Sequence, residues 1–264
     1  LNGVYEYFFT GRYGQPLEAI CGIGRQRSGL IILLAGRGGN IRSMWGLGAL
    51  DYSNNVAKKY FDVVKINVCT VRTYTLPDIS FPRYGLSARG VDATQVIDFV
   101  EWALNEREEA NKPLIVGGIS NGAAIAEMVS LLDDRIDVLL SIGGAARYDY
   151  ALSPYSAYDL NNKNAKHLDG RYFGVELVLR SDRIFKLRAP KPLIVSIGTT
   201  DAGKTFAPPY RDKYDQLNAT RNIYADHGNS SCFKYNLFEG AHASDPEGEI
   251  IAIQNLLNSC SLLE

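Results

Sequence analysis

The chain has 264 residues, 46% of them hydrophobic and 22% charged, with a formal charge of −1. That length and balance suit one large domain with a well-buried core. Near-neutral charge offers no broad basic surface for nucleic acid, and no apolar run reaches the ~18 residues of a membrane span.

Val4 to Phe9 and Glu18 to Ile23 read as opening strands joined by a glycine-bearing turn around Gly11 to Gln15. Leu30 to Leu34 is a short, continuously apolar run, the pattern of a strand buried on both faces. A helix is expected within Met44 to Tyr60, and Phe61 to Val68 reads as the fourth strand. Thr70 to Gly90, with Pro77 and Pro82, reads as a loop, and Asp92 to Glu109 as an amphipathic helix with a charged tail. Pro113 to Gly117 is the fifth strand, followed by a tight turn and a helix over Ala123 to Leu132. Ile136 to Ile142, Pro192 to Gly198 and Cys232 to Phe238 read as three further strands, and Pro246 to Leu257 as a last helix. Strands alternating with helices predict an α/β fold: a mostly parallel eight-stranded sheet with helices on both faces, in a single domain spanning 1–264. Residues 145–189 form an insertion after the sixth strand, the expected site of a small cap. It is rich in Tyr148, Tyr150, Tyr155, Tyr158, Tyr172 and Phe173. Those rings could stack on a sugar or phenolic group, or simply pack the insertion onto the domain. Tyr74, Phe81 and Tyr84 of the proline loop are candidates for a substrate cleft.

Gly118-Ile119-Ser120-Asn121-Gly122 follows a strand and opens a helix. A G-x-S-x-G in that setting resembles the nucleophile elbow of α/β-hydrolases. Glycines are needed there because side chains at Gly118 or Gly122 would collide with the neighbouring helix and strand. The resemblance covers nearly the whole chain. It implies a nucleophile, an acid and a base in that order along the sequence. Ser120 is then the nucleophile. Of the three histidines, His242 lies in the loop after the last strand, where this fold carries its base. His227 precedes that strand, at the wrong end of the sheet, and His167 sits in the polar stretch Asn161 to Asp169. Asp201, just past the C-terminal end of the seventh strand, is the expected acid, with Asp149 and Asp226 as rivals. An ordinary turn aspartate is the plainer reading of Asp201.

The oxyanion hole of this fold uses the amide after the nucleophile, here Asn121, and an amide from the loop after the third strand. That loop is Ala35-Gly36-Arg37-Gly38-Gly39-Asn40, and Arg37 N–H is the expected second donor. The elbow Gly-Ile-Ser-Asn-Gly-Ala and the loop Gly-Arg-Gly-Gly-Asn are most similar to feruloyl esterases and polyhydroxybutyrate-depolymerase-like esterases. The dienelactone hydrolase and acetyl xylan esterase branch is also similar. Members of these groups often carry a His-Gly pair before the oxyanion glycines, whereas this chain has Ala35-Gly36.

Gly198-Thr199-Thr200-Asp201-Ala202-Gly203-Lys204-Thr205 spells a P-loop. Pro208 and Pro209 oppose the helix that must follow such a loop, so the segment is read as the acid loop instead. No His-Glu-x-x-His or paired-cysteine metal pattern occurs, so neither a metal nor an organic cofactor is expected. The resemblance implies a serine esterase acting on small or carbohydrate-linked acyl esters. Two alternatives stay open: a peptidase resembling the prolyl oligopeptidases, without room for their propeller, and a catalytically silent binding protein on the same scaffold.

Four cysteines allow three pairings. Cys232 at the start of the last strand and Cys260 at the end of the last helix should lie together at the non-catalytic end of the sheet. Cys21 and Cys69 offer no such argument. Four buried thiols in a cytoplasmic protein are the alternative to a secreted or periplasmic, disulfide-bonded one. The chain begins at Leu1 rather than methionine, as a mature product or an artificially trimmed chain would, and carries no signal-peptide pattern. Sequons at Asn218 and Asn229 are no more than chance predicts.

Overall fold

A computed structural model of the chain describes residues 3–24, 27, 29–36, 39–49, 51, 53–73, 88–105, 113–144, 181–201 and 210–260. Among the described residues there are eight strands: β1 Val4–Thr10, β2 Pro16–Gly22, β3 Leu30–Leu34, β4 Asn67–Thr73, β5 Leu114–Ile119, β6 Val138–Ile142, β7 Leu193–Gly198 and β8 Phe233–Phe238. They form one sheet in the order β1-β2-β4-β3-β5-β6-β7-β8. β2 runs antiparallel to both β1 and β4, and every pairing from β4 through β8 is parallel. The α/β-hydrolase architecture read from the sequence is therefore present as a mixed, mostly parallel sheet.

The helices among the described residues are α1 Ile41–Met44, α2 Val56–Lys59, α3 Ala88–Asn105, α4 Asn121–Leu132, α5 Ser181–Arg188, α6 Tyr210–Asp226 and α7 Pro246–Ser259. The helices α3 to α6 pack in succession on one side of the sheet. On the other side, α1, α2 and α7 pack with a π-helical turn at Tyr60–Val64. Double coverage explains why β3, β5, β6 and β7 are buried at every position.

Four boundaries differ from the sequence reading. The apolar run Phe61 to Val64 is not the start of the fourth strand. It is a π-helical turn that ends at Lys65, φ 61°, and β4 begins at Asn67. Buried Tyr60 anchors that turn by donating its hydroxyl to Glu249 Oε2 at 2.6 Å. The stretch expected as a loop from Thr70 also contributes Thr70 to Thr73 to β4, and α3 starts at Ala88 rather than Asp92. Residues 181–188 of the predicted insertion are helix α5. There Arg188 donates to the carbonyls of Ser130, Ile136, Asp137 and Pro192 and ties the helix beneath β6. Residues 145–180, with their six aromatic residues, lie outside the described residues, as do Tyr74, Phe81 and Tyr84.

Two disulfides are formed. Cys232 and Cys260 meet as expected, Cα atoms 5.3 Å apart, at the end of β8 opposite the His242 loop. Cys21 and Cys69 also bond, because antiparallel β2 and β4 set them directly opposite each other.

Candidate active site

The elbow is built by backbone contact. Ser120 caps α4 at φ 57° and ψ −117°, a conformation an L-residue adopts only under strain. A Cβ on Gly118 would lie 2.3 Å from the carbonyl carbon of Gly122, and one on Gly122 would lie 2.4 Å from the carbonyl oxygen of Leu34. Real side chains cannot reach those distances, so both positions require glycine. The corner thus wedges between β5 and the end of β3 and lifts the serine clear of the sheet. Asn121 is the first residue of α4, so its N–H has no acceptor within the helix and sits at the positive end of the helix dipole.

The acid and the histidine arrive from the two strands at the far side of the sheet. β7 ends at Gly198, and Asp201 follows in a turn closed by its own amide on Gly198 O at 3.0 Å. Thr199 N donates to Phe238 O and Thr200 N to Gly240 O, both at 2.9 Å. These bonds lay the acid loop along the His242 loop. They also occupy two amides that a phosphate-cradling loop would have to present. The remainder of the P-loop match, from Ala202 on, lies outside the described residues.

His242 Nδ1 lies 2.9 Å from Asp201 Oδ1. The carboxylate side chain is 2% exposed and the imidazole 38% exposed, so a buried carboxyl faces an imidazole that reaches solvent. The pair rests against Gly143, φ 59°, where a Cβ would stand 2.9 Å from His242 Cε1 and 3.4 Å from Asp201 Oδ2. Gly143 directly follows Ile142, whose carbonyl accepts the Ser120 N–H at 2.8 Å. One backbone step therefore links the support of the elbow to the support of the imidazole.

The other candidates separate from this cluster. His227 lies past the end of α6, exposed, with Nδ1 3.0 Å from Ile223 O. Asp226 is the last residue of α6, at the opposite end of β8. Arg37, His167 and Asp149 fall outside the described residues. The start of the Arg37 loop is nonetheless set against the elbow through Leu34 and Ala35.

Three supporting residues were missed from the sequence. Arg89, 6% exposed in the first turn of α3, donates to Asn121 Oδ1 at 3.3 Å. Asp51 accepts from Ser43 Oγ at 2.6 Å, from Ser53 N at 2.8 Å and from Asn40 N at 3.4 Å, bracing the end of the Gly36 to Asn40 loop. Burial pushes the Asp51 carboxyl up, but these bonds together outweigh it and hold it below the usual carboxylate range. Glu249 is fully buried on α7. Its signal was present in the sequence, since Glu249, Ile253 and Leu256 share one helical stripe and a carboxylate there must be partnered. Among the described residues, no group of three or more His, Cys, Asp or Glu side chains could hold a metal ion.

No family model and no curated protein matches the chain. Solved structures do. The chain is similar to an esterase of Pyrococcus furiosus with a TM-score of 0.63 at 15% identity, covering 97% of this chain and 91% of that one. It is similar to an acetyl xylan esterase from Paenibacillus sp. R4 with a TM-score of 0.61 at 13% identity, covering 98% and 85%. A glucuronoyl esterase from Teredinibacter turnerae gives a TM-score of 0.61 at 13% identity, covering 96% and 73%. At these identities the likeness establishes the α/β-hydrolase fold.

Proposed function

We propose that this α/β-hydrolase is a serine esterase that cleaves carboxylic esters through an acyl-enzyme. One observation carries the reading: a strained Ser120 corner whose amide rests on Ile142 O, with a His242–Asp201 pair packed on the next residue, Gly143. In this reading Ser120 Oγ attacks the acyl carbonyl while His242 takes its proton. Asp201 holds the imidazole in the tautomer that leaves Nε2 free to accept. The amides of Asn121 and Arg37 stabilise the oxyanion, each contributing about 3 kcal/mol where well aimed. The alcohol leaves with the proton from His242, and water repeats the sequence on the acyl-enzyme.

Small or carbohydrate-linked acyl esters are the proposed substrates. The structural neighbours support this class, two of them being a glucuronoyl esterase and an acetyl xylan esterase. The two disulfides support an oxidising, extracellular or periplasmic setting.

The test is labelling with a fluorophosphonate probe together with p-nitrophenyl acetate turnover, wild type against Ser120→Ala. Labelling and turnover that both vanish in the variant support the reading. A folded wild type with neither sinks it.

A further inference from the structure

Glu249 brings the base-bearing loop and the acid-bearing strand to one carboxylate. Its side chain is fully buried on the apolar stripe of α7, where an ionised group is costly unless its lone pairs are filled. Four donors fill them. Tyr60 Oη and Ser244 Oγ donate to Oε2 at 2.6 and 2.7 Å. Ser196 Oγ and the Asp245 amide donate to Oε1 at 2.8 and 3.0 Å. A carboxylate accepts all four, whereas a side-chain amide would turn donors toward some of them. Burial pushes the Glu249 carboxyl up, and the bonds from Tyr60, Ser244, Ser196 and Asp245 pull it back.

Two of these donors bear on the site. Ser244 is two residues past His242, and Ser196 lies on β7 five residues before Asp201. The loop around His242 has little apolar burial of its own, with Glu239 and Ala241 exposed and His242 and Ala243 half-buried. Hydrogen bonds therefore set its position. Further bonds extend the clamp. Asn54 Nδ2 donates to Ser244 O at 2.7 Å, and Asn236 Nδ2 donates to Asp245 Oδ2 at 3.0 Å and to Ser196 Oγ at 3.3 Å.

We propose that Glu249 is a positioning residue for the base: it clamps the His242 loop to β7 and so fixes the imidazole against Asp201. The inference rests on the Ser120–His242–Asp201 reading. It assigns Glu249 no contact with substrate.

Glu249→Gln, Tyr60→Phe and Ser196→Ala test it on the full chain. The readouts are p-nitrophenyl acetate kinetics, the pH profile of kcat/KM and the far-downfield proton resonance of the His242–Asp201 hydrogen bond. That resonance is identified by its loss in His242→Ala. Glu249→Gln is expected to stay folded, to lose about tenfold to hundredfold in kcat with little change in KM, and to broaden or shift the resonance, since small misplacements of a catalytic group carry such costs. Tyr60→Phe and Ser196→Ala should show smaller changes in the same direction. A folded Glu249→Gln with wild-type kcat, pH profile and resonance overturns the proposal. If Glu249→Gln fails to fold, the two single-donor deletions decide. Wild-type kinetics and resonance in both overturn it, and graded losses support it. Turnover that survives in Ser120→Ala would instead defeat the triad reading, while the resonance still reports whether Glu249 holds the His242 loop.

Discussion

His242 Nδ1 and Asp201 Oδ1 stand 2.9 Å apart across 41 residues of sequence, held there by the two adjacent parallel strands that carry them. In the proposed mechanism the buried carboxylate accepts from the ring and leaves the other nitrogen free for Ser120. Asp201→Asn preserves the shape but reverses that preference. Turnover of p-nitrophenyl acetate should fall about 10⁴-fold, as tautomer loss does in other serine hydrolases, with the melting temperature nearly unchanged. A loss smaller than about tenfold would remove Asp201 from the mechanism, since general acid–base catalysis is worth more than that.

The Ser120 backbone stores strain that glycine would release. Ser120→Gly should eliminate activity and yet be more stable than Ser120→Ala by about 1 kcal/mol, because strain relief exceeds the added entropy of the unfolded chain. Urea unfolding of the two variants measures the difference. Equal midpoints would mean that the strain released is no larger than that entropy cost.

Cys232 and Cys260 close a 28-residue separation at the end of β8 away from His242. Replacing both with serine should lower unfolding stability by about 3–4 kcal/mol. Initial turnover at low temperature should stay near wild type, since six strand residues, roughly 20 Å, intervene. Denaturant titration and initial rates check the two halves separately.

Asp51 gives a pH-dependent test. Its carboxyl is held below its ordinary value of 3.8, so the unfolded state binds the proton more readily. The resulting stabilisation is present at neutral pH and is lost as pH falls below about 4. The stability gap between wild type and Asp51→Asn should therefore be open at pH 7 and narrower at pH 3. The exposed part of the carboxyl keeps that gap small. Turnover should also drop several-fold at pH 7, because Asp51 braces Asn40 at the end of the loop proposed to supply an oxyanion donor. An equal gap at both pH values would show that the charge of Asp51 contributes nothing.

The elbow was legible in the sequence because its requirement is local: two glycines, a serine, a strand before and a helix after. The buried strands were legible for the same kind of reason, as short unbroken apolar runs. Helix α6 was missed. Its buried face, Leu217, Thr220 and Tyr224, is a narrow stripe with a threonine in the middle, set in an otherwise polar run. Phe61 to Val64 misled because a short run with three apolar residues fits a strand or a helical turn equally well.

The sequence by itself determined the class of fold and the strand–turn–helix corner at Ser120, since both rest on patterns among neighbouring residues. The tertiary structure decided which groups meet. Cys21 found Cys69 only because β2 pairs antiparallel with β4. Asp201 met His242 through the pairing of β7 with β8, and Glu249 gained Tyr60 across 189 residues. Hydrogen bonds and disulfides act over a few ångströms, and strand order and register bring distant segments within that reach.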